Sequence, residues 1–275
     1  MVKEIWMKAK AVLGVFVVVL VSLIFLFPLF WIVSSSLKTR VDIFALPPLI
    51  IFEPTSVNYL TLFKTAFVKD FGNSMIVSIS SVVISLALGS LTAYGFSRYK
   101  IKGGDFAFGW ILSLRFFPVV ALAIPVYILF RMLDMLDTHI ALIIVYCIIN
   151  ISFAIWFLKG FFDEIPRSLE EAARLDGYSP FQVFYKVALP LVWPGMVTTI
   201  IFCLIQSVNE FLIALFLTIR VAETAPVALA KLQTAVGPDW GKMCAAATIM
   251  IIPVLIFTIA VRNQLIRGMS FGRLK

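Results

Sequence analysis

Charge is scarce in this sequence. Only 14% of its 275 residues are Asp, Glu, Lys or Arg, about half the share with which a water-soluble domain clothes its surface. Histidine occurs once, at His139, and the three cysteines Cys147, Cys203 and Cys244 all fall inside apolar runs. Metal clusters, a disulfide framework and a nucleophile–base constellation therefore lack their raw material. No Gly-x-x-x-x-Gly-Lys-Ser/Thr loop occurs, so the chain has no motif with which to hydrolyse a nucleotide on its own. What is abundant is apolar: 61% of residues are hydrophobic and the mean hydropathy is +1.03. That excludes the soluble globular and disordered classes and predicts an integral membrane protein. The excess of 23 Lys and Arg over 15 Asp and Glu then marks cytoplasmic loops and not a nucleic-acid surface.

A bilayer core about 30 Å thick takes about 20 apolar helical residues to cross. Runs of that length lie at 12–33, 71–97, 106–130, 140–158, 191–217 and 243–261. All are free of charge except the third, which holds Arg115, and the fifth, which holds Glu210. Backbone groups in lipid must bond within their own segment, so runs this long are helices. The expectation is an all-α polytopic membrane protein of six spans, one transmembrane domain over residues 1–275. Lys3, Lys8 and Lys10 precede the first run as in a secretory signal. The run is too long for one and no clear small-residue cleavage site follows, so it reads as an uncleaved span.

Six crossings put both termini on one side. That side collects fourteen basic residues, in the groups Lys3 to Lys10, Arg98 to Lys102, Lys159 to Lys186 and Arg262 to Lys275, against eight on the other. Each of the four groups holds at least three. The richer side is the cytoplasmic one, so both termini are expected there. Lone His139, at the outer edge of span four, reads as a solvated interface residue. Gly89 and Ser85, four apart in span two, read as a helix-packing pair.

The longest cytoplasmic connection, 159–190, carries the most local information. It contains Ile165-Pro166-Arg167-Ser168-Leu169-Glu170-Glu171-Ala172-Ala173-Arg174-Leu175-Asp176-Gly177. Ser168 with Glu171 three residues on predicts a capping box, and Glu170 and Glu171 favour the positive end of a helix dipole. Gly177 suits the left-handed position that stops a helix. Ser179, Pro180 and Gln182 then predict a second start, and Leu189-Pro190 ends the unit. Two short helices meeting at Gly177 are expected.

This loop resembles the signature of the inner-membrane permease subunits of ABC importers: Glu-Ala-Ala, three residues, Gly, nine residues, Ile, one residue, Leu-Pro. Glu171-Ala172-Ala173, Gly177, Val187 and Leu189-Pro190 keep every spacing, with Val187 in place of Ile. The remainder resembles the maltose-type (MalG-like) carbohydrate branch. The tracts that carry this are Ser36-Leu37-Lys38-Thr39, Asn58-Tyr59, Asn73-Ser74, Ile124-Pro125-Val126-Tyr127, Gly160-Phe161-Phe162, Glu164-Ile165-Pro166 and Asn209-Glu210-Phe211. Val208 stands where that family often has Trp. The tail from Gly268 to Lys275 is loosely similar to permease tails that reach towards the ATPase pair.

The resemblance implies a type I importer permease fold in a bacterial inner membrane, with the 159–190 loop as its coupling loop. It implies two ATPase subunits that bind ATP and Mg, a second and related permease subunit, a soluble substrate-binding protein, and a sugar or sugar derivative carried by alternating access. It assigns no cofactor to this chain, no catalysis and no nucleic-acid partner. Contact with the ATPase falls to Glu170, Glu171, Ala172, Ala173, Asp176, Gly177, Leu189 and Pro190. Glu171 would supply a charge partner, the two alanines close approach, and Gly177 the angle to the next helix.

Arg115 and Glu210, each costing at least about 2.5 kcal/mol at a helix centre, are expected to face the bundle interior or water. Three readings stand open: a structural ion pair between them, a lining for the substrate path, or recognition of an acid, phosphate or sulfonate on the substrate by the Arg115 fork. Asn150, Gln206 and Asn209 suit sugar hydroxyls and suit helix–helix bonding equally well. Pro118 and Pro125 read either as the border of a cavity or as an ordinary kink. A gradient-driven transporter would show internal repeats and several buried acids, whereas only Glu210 qualifies.

Overall fold

The structure, a computed structural model, describes residues 2–234 and 237–262. The tail from Gly268 to Lys275, likened above to an ATPase-facing tail, lies outside the described residues. In chain order the helices are α1 (Val2–Ser36), α2 (Arg40–Ile43), α3 (Val57–Leu62), α4 (Phe67–Arg98), α5 (Gly104–Ser113), α6 (Val119–Met132) and α7 (His139–Glu164). They continue as α8 (Arg167–Leu175), α9 (Pro180–Val183), α10 (Leu189–Leu191), α11 (Trp193–Val208), α12 (Leu212–Leu217), α13 (Ala225–Ala230) and α14 (Trp240–Ala260). The strands described, β1 (Gln233–Thr234) and β2 (Gly237–Pro238), form one short antiparallel pair. The all-α class expected from the sequence is what the chain adopts.

Among the described residues four helices are long and apolar enough to cross a membrane: α1 from Val12 on, α4, α7 and α14. They coincide with expected spans one, two, four and six. Spans three and five are not single helices, which corrects the expectation. Span three breaks at Phe117-Pro118, where the axes before and after turn by 96°. Proline pushes the residue before it out of the helical region, and Phe117 is extended with ψ 130°. Span five follows the Pro180–Leu191 stretch at a bend of 77° and breaks again between Val208 and Leu212. If each bent pair is one crossing, the total reaches six.

The chain divides into two compact units. The first comprises the described residues up to Phe67 together with Lys231–Ile249. Here the Ser36–Thr39 and Asn58–Tyr59 tracts meet. The Asn58 amide donates to the Ser36 and Lys38 carbonyls at 2.9 and 2.8 Å, and the Ser36 and Tyr59 hydroxyls are 2.7 Å apart. Lys38 is fully buried; its ammonium donates to the Leu49 carbonyl at 2.6 Å between the rings of Trp31 and Phe52. Gly241 is glycine because any Cβ there would collide with the Asn58 carboxamide.

The second unit comprises Val68–Ala230 and the described residues from Met250 on. Its central contact is α7 against α11, with α4 across the same core. Phe162, Leu158, Ala154 and Ala188 are buried there beside Tyr94 and Phe184. Gly89 and Ser85 do pack helices: a Cβ on Gly89 would stand 2.7 Å from the Ala154 Cβ, and Ser85 Oγ donates to the Cys147 carbonyl at 3.3 Å. Gly195 likewise leaves room for the Phe161 ring, 2.6 Å from where its Cβ would be. A second cluster, around Leu142, Val77, Phe130, Ile213 and Leu217, joins α4, α6, α7 and α12.

At the opposite end from the 159–190 loop this unit is braced by side chains on backbone. Asp137, left-handed at φ 58°, accepts N–H bonds of 2.8–3.1 Å from Ile219, Arg220, Val221 and Ala222. Asn73 donates to the Val221 and Glu223 carbonyls, and Ser74 Oγ accepts from Ala225 N–H. His139 is bonded to Asn73 Oδ1 at 2.8 Å, so it buttresses this loop where the sequence suggested a solvated residue.

Candidate functional site

The 159–190 loop begins later and is more structured than the sequence suggested, because α7 continues to Glu164. Helix α8 then starts at Arg167, with Pro166 as its N-cap and no side-chain cap. The expected Ser168–Glu171 capping box is therefore absent. Ile165 and Pro166 are extended, and the helix starts directly after the proline, which places Ser168 inside the first turn. The stop is as predicted. Gly177 has φ 87°, its N–H donates to the Arg174 carbonyl at 3.0 Å, and the Tyr178 N–H donates to the Ala173 carbonyl at 3.1 Å, the paired bonds of a Schellman motif. The second start is also as predicted: Ser179 and Gln182 form a reciprocal capping box with Pro180 inside the first turn. A π-helical turn over 184–188 precedes Pro190, which cannot donate to the ladder.

Helix α8 has two unlike faces. Glu170 and Ala173 are buried, whereas Glu171, Ala172, Leu175 and Asp176 are exposed, Leu175 at 89%. Glu170 is held by the end of α4. The Arg98 Nε meets its Oε1 at 2.6 Å, with the two side chains 5% and 3% exposed, and the Tyr94 hydroxyl donates to its Oε2 at 2.8 Å. Arg98 also donates to Ser97 Oγ and to the Ile165 carbonyl, while Ser97 donates to Asp163 and Lys159 pairs with Asp163 at 2.7 Å. A pair this buried adds little net stability, but removal of either partner leaves an uncompensated charge. The base of α8 is thus fastened to α4 and α7, and its free face carries a charge and an apolar tip. Phe181 and Tyr185 on the following segment are exposed beside each other, rings 6.0 Å apart. Leu189 packs against the core that holds Phe162 and Phe184, and Pro190 is exposed.

The sequence marks Arg98 only as one of the basic residues of the cytoplasmic side and does not mark Tyr94; neither is legible there as a partner of Glu170. The available signal was an arginine ending span two on the same side of the membrane as an acid-rich helix start. Nothing local indicated which of the two adjacent glutamates it would take.

The intramembrane candidates do not gather into one cluster. Glu210 sits in the break between α11 and α12, where its carboxylate accepts from the Ile213 and Ala214 N–H groups at 2.9 and 3.1 Å and from the Tyr146 hydroxyl at 3.0 Å. It thereby satisfies the donors that open the half-helix α12. Arg115 is exposed in the last turn before the 96° bend, its guanidinium stacked 4.3 Å from the Phe153 ring centroid. Among the described residues no ion pair joins Arg115 to Glu210, so the structural-pair reading does not hold in this conformation. Asn150 is buried and its amide donates to Ser207 Oγ at 2.8 Å, a bond between α7 and α11. Gln206 and Asn209 are exposed, with the Asn209 amide turned back to the Ile205 carbonyl.

Residues 85–270 match the family described as "Binding-protein-dependent transport system inner membrane component". The chain is 40% identical over 255 residues to the "Probable ABC transporter permease protein y4oR" of Sinorhizobium fredii, covering 92% of each. To the "Trehalose transport system permease protein SugB" of Mycobacterium tuberculosis it is 34% identical over 257 residues, covering 91% of this chain and 92% of the relative. In fold it resembles a chain from the crystal structure of a bacterial ABC transporter involved in the import of the acidic polysaccharide alginate. The TM-score is 0.78 at 24% identity, over 94% of this chain and 97% of the other. A helical, apolar chain with a two-faced helix tied to the end of α4, matched over most of its length, belongs to the inner-membrane permease family of binding-protein-dependent ABC transport systems and is a non-catalytic permease subunit.

Proposed function

We propose that this chain works as a single transmembrane domain, the permease half of an importer for a sugar or sugar derivative, driven by two separate ATPase subunits that bind ATP and Mg. A second permease subunit completes the path, a soluble binding protein delivers substrate from outside, and both termini lie in the cytoplasm. The observation that carries this reading is the construction of α8. Its inner face is tied to α4 by Arg98, Tyr94 and Glu170, and its outer face offers Glu171, Ala172 and Leu175. A rigidly based helix with a free tip transmits displacement, since packed helices move as units between discrete arrangements. The Schellman stop at Gly177 fixes the direction of the next segment, whose exposed Phe181 and Tyr185 extend the docking face. Closure of the ATPase pair on ATP draws the α8 helices together and opens the path outward, and hydrolysis returns it inward.

The experiment is uptake by the reconstituted complex in vesicles. Uptake requires ATP and the ATPase subunits and is indifferent to collapse of a proton or sodium gradient. Glu171→Lys lowers both ATPase retention on the purified complex and uptake by about tenfold, the scale on which a rim charge placed against a like charge acts. Unchanged retention and uptake in Glu171→Lys would refute the assignment of α8.

One observation favours a narrower second reading, that the substrate is anionic. The Arg115 guanidinium has no acid partner among the described residues and is stacked on Phe153 with its donors free, the arrangement in which arginine takes a carboxylate, phosphate or sulfonate by a fork. In that case Arg115→Gln lowers uptake of acidic sugars and spares neutral ones; equal loss for both excludes it.

A further inference from the structure

The cytoplasmic ends of α4, α5, α7 and α8 line a half-open cavity of about 520 Å³ that the coupling role leaves unused. A water molecule takes about 30 Å³ in the liquid, so there is room for a charged headgroup with its hydration. The wall carries four cations, Arg98, Lys100, Lys159 and Arg167, against one acid, Asp105. Arg98 and Lys159 are neutralised from behind by Glu170 and Asp163. Lys100 has no acid partner among the described residues, and Arg167 makes only a 3.5 Å bond to the Ser97 carbonyl. The ten-residue helix α5 also opens here. Its N-cap is Gly103 at φ 75°, which supplies no side chain to its first N–H groups. Lys100 and Arg167, both exposed, and the uncapped start of α5 therefore border one half-open space beside the Phe108 ring.

We propose that this cavity binds the phosphate of an anionic phospholipid headgroup, with Lys100 and Arg167 as its principal cations. Basic pockets between helix ends on the cytoplasmic side have the charge for such headgroups. Free inorganic phosphate shares this chemistry, and the second arm of the test separates the two sources. Arg167 is the first residue of α8, so a phosphate held here lies at the root of the coupling helix and stiffens its attachment to α4.

The test is lipid retention by the purified complex in neutral detergent, read by native mass spectrometry. The complex is incubated with equal amounts of phosphatidylglycerol and phosphatidylcholine of the same chain length. Phosphatidylglycerol is retained preferentially, and Lys100→Gln and Arg167→Gln each lower its retention about fivefold, the scale of one lysine or arginine near a charged lipid surface. Lys102→Gln, exposed and outside the cavity, leaves retention unchanged. In a second arm inorganic phosphate is added. Failure to displace the lipid assigns the site to the bilayer, and displacement that Lys100→Gln abolishes assigns it to a phosphate pocket open to water. Equal retention of both lipids by the unaltered complex, or no loss in either cavity variant, overturns the proposal. Both cavity residues are exposed, so neither variant threatens the fold. No uptake is measured, and failure of the coupling reading would leave the result standing.

Discussion

Truncating Glu170 leaves the Arg98 guanidinium, only 5% exposed, without a counter-charge, and strips the Tyr94 hydroxyl of its acceptor. Loss of one partner from a buried pair costs about 3–5 kcal/mol, whereas replacing both with apolar groups of similar size is often neutral. Glu170→Ala is therefore expected to lower the unfolding free energy by about that amount, and Arg98→Met with Glu170→Leu by clearly less. Equilibrium unfolding in mixed micelles measures both, and additive losses would remove the pair from the account. A second carboxylate carries a pH signature. Burial pushes the Asp137 carboxyl up, but the N–H groups of Ala222, Val221, Ile219 and Arg220 outweigh it and hold the group below the ordinary carboxylate range. A carboxyl lowered on folding contributes stability that is complete above its unfolded value and is lost as pH falls through the folded one. Melting temperature against pH should fall on the acid side for the native chain, and Asp137→Asn should be less stable at neutral pH with a shallower acid limb. Neither role could be assigned from neighbours in sequence. Glu170 and Glu171 are adjacent acids in one helical turn, separated by about 100° of rotation, and the positions of Arg98 and Tyr94, distant in sequence, decide which faces inward.

At the scale of elements, close helix approach depends on missing side chains. Gly89→Leu drives four carbons into the α4–α7 contact, where even a Cβ stands 2.7 Å from Ala154, and overpacking of this kind costs about 1–3 kcal/mol. The expected result is a lowered melting temperature for Gly89→Leu and a smaller drop for Gly95→Leu, which has open space at its Cβ. Equal drops would refute the packing role. The elements that local rules predicted well are those whose boundaries are set by a few adjacent residues: the Ser179–Gln182 box, the Gly177 stop, and the charge-free runs that became α4, α7 and α14. The misreadings have local causes too. Pro166 starts α8 and displaces the box expected at Ser168. Pro118 sits in an apolar run that looks continuous to a hydropathy count, yet the chain turns by 96° there. At Asn209–Phe211 the interruption is stabilised by Glu210 capping the segment that follows, so the residue that looked like a charge stranded in a helix is the reason the helix can break.

For the molecule as a whole, composition had already made the largest decision. So few charges cannot dress a chain for water, and apolar runs of bilayer length leave helix as the one backbone form whose hydrogen bonds close within each segment. The basic residues then predict a sidedness, and the Glu-Ala-Ala–Gly spacing carries the resemblance to a permease coupling loop; caps, stops and run lengths are legible because they act between residues a few positions apart. What lay beyond reach was every choice among distant partners. Arg98 and Glu170 are 72 positions apart, and Tyr146 and Glu210 are 64 apart. Whether Arg115 meets Glu210 or stacks on Phe153, and which face of α8 is held and which is free, are settled by how the helices pack. Such contacts are fixed by burial and by the geometry of the assembled core, quantities that no window of neighbouring residues contains.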